Sequence, residues 1–432
     1  MRRPIAIDLF AGAGGLSLGF EQAGFDVVAA VEIDPVHASV HKFNFPNCAV
    51  IARSIVEVTG AILRQKAGIG ESDIDVVCGG APCQGFSLIG HRALDDDRNM
   101  LVREFVRIVD ELRPKYFVFE NVKGLTVGAH RKFLDELIEA FASIGYSVRL
   151  PWQVLNARDY GVPQDRERLF LLGARDGSSV PIYPKPVSPT PTCSEALSDI
   201  PSVEDYPELL LGDEARAKDW RTPSAYARRL RCLDNDSWHF GYPRVWDPCL
   251  LTSSMRTEHS EISIRRFAET APGAVEPISR FFRLHADGVS NTLRAGTDSA
   301  RGAFTSPRPI HYDYPRCVTV REMARLHSFP DWFRFNETKW HGARQIGNSV
   351  PPLLAKAVAQ CMIDALGISP ERPELTIELG NSQLLRMDIT QASTFWGIEN
   401  PIGRRNKKSG AKKRKQADIE AERIGAKQTA YA

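Results

Sequence analysis

The 432-residue chain has no Cys-x-x-Cys pair, no Cys/His cluster at zinc-finger spacing, no internal repeat and no apolar run near the ~18 residues a membrane helix needs. Its eight cysteines stand singly, which argues against a disulfide scaffold and a structural zinc; no metal is expected. The amino terminus, MRRPIAIDLF, runs straight into a strand-like segment, so a reducing, cytoplasmic protein without membrane spans is expected. Charge of one sign is scarce too. With 55 Lys+Arg against 53 Asp+Glu, the formal charge is +2, and net charge alone neither demands nor excludes a nucleic-acid partner. At 43% hydrophobic and 25% charged, a fibre, a stalk and a mostly disordered chain are excluded. The basic excess lies in residues 401–432, which carry ten Lys/Arg against three Asp/Glu and read as a disordered tail.

What is present begins with alternation. Short apolar runs (Ile5–Phe10, Val27–Ile33, Ile74–Cys78, Lys115–Phe119, Leu169–Leu172) are separated by helix-period segments such as Met100–Leu112 and Arg131–Ile144. This predicts a mostly parallel sheet covered by helices, an α/β domain. The texture breaks at VPIYPKPVSPTP (180–191), where five prolines in twelve residues suit an extended connector. Residues 190–315 read as a smaller, loop-rich domain. Helical periodicity returns at Val320–His327 and after Pro351–Pro352, so the chain is expected to leave its α/β domain (1–185) and re-enter it (316–368). No role is assigned to 369–400.

After the first strand comes AGAGGLSLGFEQAGF, with Gly12, Gly14 and Gly15 where strand must turn tightly into helix. Glycine there lets backbone N–H groups approach a ligand, and no Lys-Ser/Thr follows to make a P-loop. Glu32 ends the next strand at the spacing where an acidic side chain meets a ribose diol, so an adenosine-type ligand is expected. Cys83 falls in GGAPCQGFS, just beyond Ile74–Cys78, and Glu120 directly follows Lys115–Phe119. Ligands of open α/β sheets bind outside the carboxyl ends of the strands, where Glu32, Cys83 and Glu120 then converge. A lone cysteine is more often a small buried apolar residue, but the loop setting reverses that preference. A thiolate can add to C6 of a pyrimidine and make C5 nucleophilic, provided N3 is protonated or hydrogen-bonded by a carboxyl such as Glu120. C5 would then take an electrophilic methyl group. Arg166 and Arg168, in QDRERLF, supply positive charge for the base and nearby phosphates, although surface pairing with Asp165 and Glu167 is an equally ordinary reading.

The blocks DLFAGAGGLSLGFEQAGF (8–25), VEIDP (31–35), GGAPCQGFS (79–87), ENV (120–122), QDRERLF (164–170), RCVTVREMARLHSFPD (316–331) and QIGNSVPP (345–352) resemble, in order, those of cytosine-C5 DNA methyltransferases of bacterial restriction–modification systems. The resemblance implies a Rossmann-like S-adenosylmethionine-dependent methyltransferase domain, a target-recognition domain over 190–315, and methylation of a cytosine flipped from double-stranded DNA. It implies Cys83 as nucleophile, Glu120 on the base edge, and Arg166 and Arg168 on base and backbone. The cofactor would be lined by Phe10, Gly12, Gly14, Glu32, Ile33, Ile55, Pro82, Gln84, Leu101, Asn348, Ser349 and Val350, and Asn291–Leu293 would lie near the flipped base. Where the family has an Asp-Ile pair this chain has Ser54–Ile55, which leaves Asp73 or Asp75 as substitutes for an adenine contact. Basic residues in 216–231 and the aromatics Trp238, Phe240, Tyr242 and Trp246 are further candidates for DNA contact. A monomer is expected, alongside a cognate restriction endonuclease that shares the site. The alternatives are a tRNA cytosine methyltransferase, a non-catalytic relative and a dinucleotide oxidoreductase.

Overall fold

The computed structural model describes residues 3–82, 99–126, 130–296 and 306–400. Its main sheet runs β3 (Ala49–Ile51), β2 (Asp26–Val31), β1 (Ile5–Leu9), β4 (Val76–Gly79), β5 (Tyr116–Val122), β8 (Glu167–Arg175), β6 (Tyr146–Val148), with β7 (Gln153–Asn156) also on β8. The first five strands are parallel and β8 is antiparallel to its neighbours. β1 is buried throughout, as expected of a parallel strand covered on both faces. A small ribbon, β9 (Ala215–Arg216) with β10 (Leu250–Leu251), lies within residues 190–315.

The helices are α1 (Gly15–Ala23), α2 (Pro35–Asn44), α3 (Gly60–Ala67), α4 (Met100–Leu112), α5 (His130–Ser143), α6 (Cys193–Leu197), α7 (Ala225–Leu230), α8 (Glu261–Glu269), α9 (Val320–Leu326), α10 (Lys339–Asn348), α11 (Pro352–Leu366) and α12 (Ile389–Trp396). One sheet face is covered by α4 and α5, whose Phe105 and Phe141 pack on Phe117. The other is covered by α1 and α11, with Phe20, Leu354 and Val358 in one core cluster. A methyl group on Gly19 would run into Ala355, and one on Gly15 into the Val350 carbonyl, so the two helices meet backbone to backbone. α11 starts with proline and ends at Gly367, whose φ of 66° closes the helix.

The segment 190–315 shares the α1–α11 core through Tyr226, Leu230, Leu251 and Leu293. Three buried arginines of the RCVTVREMARLHSFPD block hold it there: Arg325 pairs with Asp199 at 3.0 Å, Arg321 donates to the Thr252 hydroxyl at 2.8 Å, and Arg316 pairs with Glu204 at 2.9 Å. Residues 371–400 fold back over α2. Leu384 and Leu385 pack with Ala13, Val40 and Phe43, and Trp396 Nε1 donates to the Pro35 carbonyl at 3.2 Å. Among the described residues no helix is long and apolar enough to cross a membrane.

Candidate active site

Register brings the chemistry to one edge. Val31, Leu9, Gly79 and Phe119 stand side by side across β2, β1, β4 and β5, so Glu32, Phe10, Gly80 and Glu120 emerge together one residue later. β8 runs the opposite way and starts at this same edge, with Arg168 opposite Val122.

The β1–α1 turn is built by left-handed backbone at Phe10, Gly12 and Gly14, with φ of 60°, 56° and 104°. The Gly12 N–H donates to Glu32 Oε2 at 2.8 Å, and the Asp34 N–H to Oε1 at 2.8 Å. A Cβ on Gly14 would strike Phe45 and His41, whereas one on Gly12 would meet nothing within 4 Å. Gly12 therefore faces open space, with the Glu32 carboxylate held beside it and Ile33 next to it 53% exposed. An open glycine face, an acid and an exposed apolar side chain fit an adenosine group. Burial raises the Glu32 carboxyl above its usual range. Ser54 and Ile55 follow β3, whose Ile51 carbonyl accepts from the Glu32 N–H at 3.1 Å, so they share this edge. Asp75 does not substitute for the missing aspartate: it precedes β4, at the opposite end of the sheet, and binds the Ile5 N–H and Lys115 Nζ, each at 2.9 Å. Asp73 precedes it at that far end.

Glu120 pairs with Arg168 at 3.0 Å, both side chains nearly buried. Burial raises the Glu120 carboxyl, and Arg168 and then Arg166 oppose that rise. A Cβ on Gly80 would lie 2.5 Å from Glu120 Oε2, so the carboxylate occupies the space a side chain there would fill. Asn121, whose role no sequence pattern signals, donates through Nδ2 to the Ala81 carbonyl at 3.0 Å and so ties down the backbone leading through the exposed Pro82. Cys83 and Gln84 lie outside the described residues, as does the tail 401–432; Leu101 is half-buried in the first turn of α4.

Arg166 stands apart from Arg168. It is 1% exposed, and its guanidinium donates to the carbonyls of Leu293 (3.0 Å), Gly347 (2.8 Å) and Ser349 (2.9 Å), so in this structure it faces backbone rather than solvent. The same contacts bring Ser349 and Val350 to the glycine turn, where both border Gly15, while Asn348 is exposed. The basic and aromatic residues expected on DNA are mostly engaged elsewhere. Arg216 pairs with Asp247, Arg228 with Asp234, and Arg231 stacks 4.1 Å over Trp220. Trp238 stacks on Trp332, Tyr242 donates to Asp26 at 2.8 Å, and the neighbouring Arg244 pairs with Glu21, at the amino end of β2 and away from Glu32. The exposed basic side chains later in residues 190–315 include Arg265, Arg280 and Arg294, Arg280 with φ 59°. No group of three or more His, Cys, Asp or Glu among the described residues could hold a metal.

The comparisons point the same way as this edge. The family model of the C-5 cytosine-specific DNA methylases matches residues 5–364. The chain is 61% identical to the Type II methyltransferase M.XorII of Xanthomonas oryzae pv. oryzae, over 93% of this chain and 94% of that one. It is 34% identical to the Type II methyltransferase M1.HphI of Haemophilus parahaemolyticus, over 83% and 86%. A solved E. coli prophage protein described as a DNA modification methyltransferase superposes with TM-score 0.69 at 33% identity, covering 84% of this chain and all of the other. A glycine turn with an acid held beside it, a buried carboxyl paired with arginine and the backbone leading toward Cys83 thus sit on the scaffold of a known family, and this chain belongs to the C-5 cytosine-specific DNA methylases.

Proposed function

We propose that the chain is the modifying enzyme of a Type II restriction–modification pair, acting as a monomer on double-stranded DNA in the cytoplasm beside an endonuclease that reads the same sequence. The reading rests on one observation above all, the arrival of Gly12, Glu32, Gly80 and the Glu120–Arg168 pair at one sheet edge. S-adenosylmethionine, when bound, supplies an electrophilic methyl group. Gly12, Gly14, Glu32 and Ile33 would hold its adenosine end, with Phe10, Ile55, Pro82, Leu101 and Asn348–Val350 around it.

The target cytosine leaves the stack because attack at C6 comes from above the ring, a face that stacking covers. The Cys83 thiolate bonds to C6 while Glu120 gives a proton to N3, so no negative charge builds on the ring. Arg168 holds the Glu120 carboxylate in place and lies within reach of the base edge. C5 takes the methyl group, its proton leaves to solvent, and N3 returns its proton to Glu120 as the C6–S bond breaks. DNA, rather than tRNA, is favoured as substrate by the family and by the names of the relatives. Bisulfite sequencing of DNA from cells expressing the chain is expected to reveal protected cytosine in one short sequence context, lost with Cys83→Ala. Unprotected genomic DNA alongside methylated tRNA would overturn the reading.

The basic tail adds affinity without choosing sequence. Its ten Lys/Arg stand against three Asp/Glu. If three to five of them each neutralise a phosphate, deletion after Asn400 should flatten the salt dependence of log K by about 3–4. Affinity measured across a salt series checks this; identical slopes for both chains would show that the tail is merely solvated.

A further inference from the structure

Five residues from four separate segments close a ring of hydrogen bonds inside the protein. The Leu293 N–H donates to Gln164 Oε1 at 3.1 Å, Gln164 Nε2 lies 2.8 Å from His327 Nδ1, and His327 Nε2 lies 3.0 Å from the Ser349 carbonyl. Arg166 completes the circuit, donating to that same carbonyl at 2.9 Å and to the Leu293 carbonyl at 3.0 Å. All five residues are buried.

The ring's polarity is fixed by elimination. A carbonyl only accepts, so His327 carries its proton on Nε2 and leaves Nδ1 bare. Gln164 must then present its NH₂ to Nδ1, which turns Oε1 toward Leu293. The charged groups facing His327 are Arg166 and Arg168; Phe329 stacks on its ring at 5.8 Å, and Ser349, just past α10, offers its carbonyl. Burial, with these arginines, holds the imidazole far below its usual pKa and therefore neutral.

The geometry matters because of where the ring sits. Gln164 and Arg166 lead into β8, whose Arg168 grips Glu120. Leu293 ends the Asn291–Leu293 segment, which is further sewn to this entry by Thr292 Oγ1 on the Asp165 carbonyl at 2.7 Å and by the Asp165 N–H on the Ser290 carbonyl at 2.7 Å. A Cβ on Gly347 would collide with the backbone of Arg294 and Ala295, so the end of α10 also touches the recognition segment.

We propose that Gln164 and His327 are positioning residues for methyl transfer, clamping the recognition segment at Leu293 to the start of β8 and so fixing Arg168 and Glu120 against the base. The inference rests on the reading that Glu120 and Arg168 hold that base. Loss of the ring should slow transfer even where DNA and cofactor are saturating, because small displacements of a reacting pair are costly.

The test is the single-turnover methyl-transfer rate on cognate duplex. His327→Phe keeps the ring shape and removes both hydrogen bonds, and is expected to cost about a hundredfold, whereas His327→Gln, which offers one acceptor and one donor, should stay within about threefold of wild type. Gln164→Glu sets a carboxylate oxygen against the bare Nδ1, acceptor facing acceptor, so the circuit closes only when carboxylate and imidazole share a proton. Its rate should therefore fall with rising pH more steeply than the decline that Glu120 gives the wild type and His327→Gln alike. Equal rates for the two His327 variants, or a Gln164→Glu profile parallel to wild type, would overturn the proposal. An unchanged rate in Glu120→Gln would sink the base-holding reading and leave the contrast between the His327 variants standing.

Discussion

DNA carrying 5-fluorocytosine at the target position is expected to trap the wild-type chain in a denaturation-resistant complex, and Cys83→Ala to form none. Addition of the thiolate to C6 and methyl transfer to C5 proceed as with cytosine. Elimination does not, because C5 holds fluorine where it should hold a departing proton. Loss of the nucleophile removes the covalent route, so turnover should drop by roughly four to six orders of magnitude. The other buried thiols cannot take over. Burial pushes Cys193 and Cys361 up to about 12 and Cys317 to about 11, and Cys78 well above the ordinary thiol range, so each stays protonated at neutral pH. Denaturing electrophoresis of the reaction mixture gives the answer. Trapping by Cys83→Ala at wild-type yield would end the covalent mechanism.

The second large effect belongs to Glu120. Glu120→Gln keeps shape and one hydrogen-bond donor but loses the titratable proton, so kcat should fall by about two to four orders while S-adenosylmethionine affinity holds. The pH dependence has a definite sign. Burial raises the carboxyl above the usual glutamate range, and the protonated form is the one that serves N3. Wild-type kcat should therefore decline as pH rises through that raised value, and the glutamine variant should lack this decline. Unchanged kcat with weakened cofactor binding would move the residue into the cofactor site.

Why Glu32 and Glu120 could be found from sequence is a matter of strand ends. Each directly follows an apolar run, and in a parallel sheet every such residue reaches the same edge. The helices Met100–Leu112 and Val320–Leu326 were legible for a related reason, since their apolar spacing is local. The short β3, β6 and β7 were not, being three or four residues long with little pattern to read. Arg166 and Arg168 look alike in QDRERLF, yet Arg166 lies just before β8, where the carbonyls of Leu293, Gly347 and Ser349 converge, and Arg168 lies within the strand beside Glu120. Trp238 and Tyr242 were misread because composition records what a segment contains and not which surface it covers. Their partners, Trp332 and Asp26, are distant in sequence. Asp75 failed as an adenine contact for the converse reason to Glu32, preceding its strand instead of following it. The extension after residue 368 offered no motif, and its role as a cover for α2 depends on Leu385 and Trp396 finding partners more than three hundred residues away.

The backbone-to-backbone seating of α1 on α11 also orders events during synthesis. Gly15 and Gly19 present a groove that is filled by Val350 and Ala355, so α1 waits for residues made more than three hundred positions after it. At about 5–20 residues per second, that wait is roughly twenty seconds to a minute. Throughout it, the nascent β1–α1 turn rests on a helix with one side bare. The enzyme thus emerges with α1 provisional until residues 352–366 arrive, and residues 190–315 are made, in full, inside that interval.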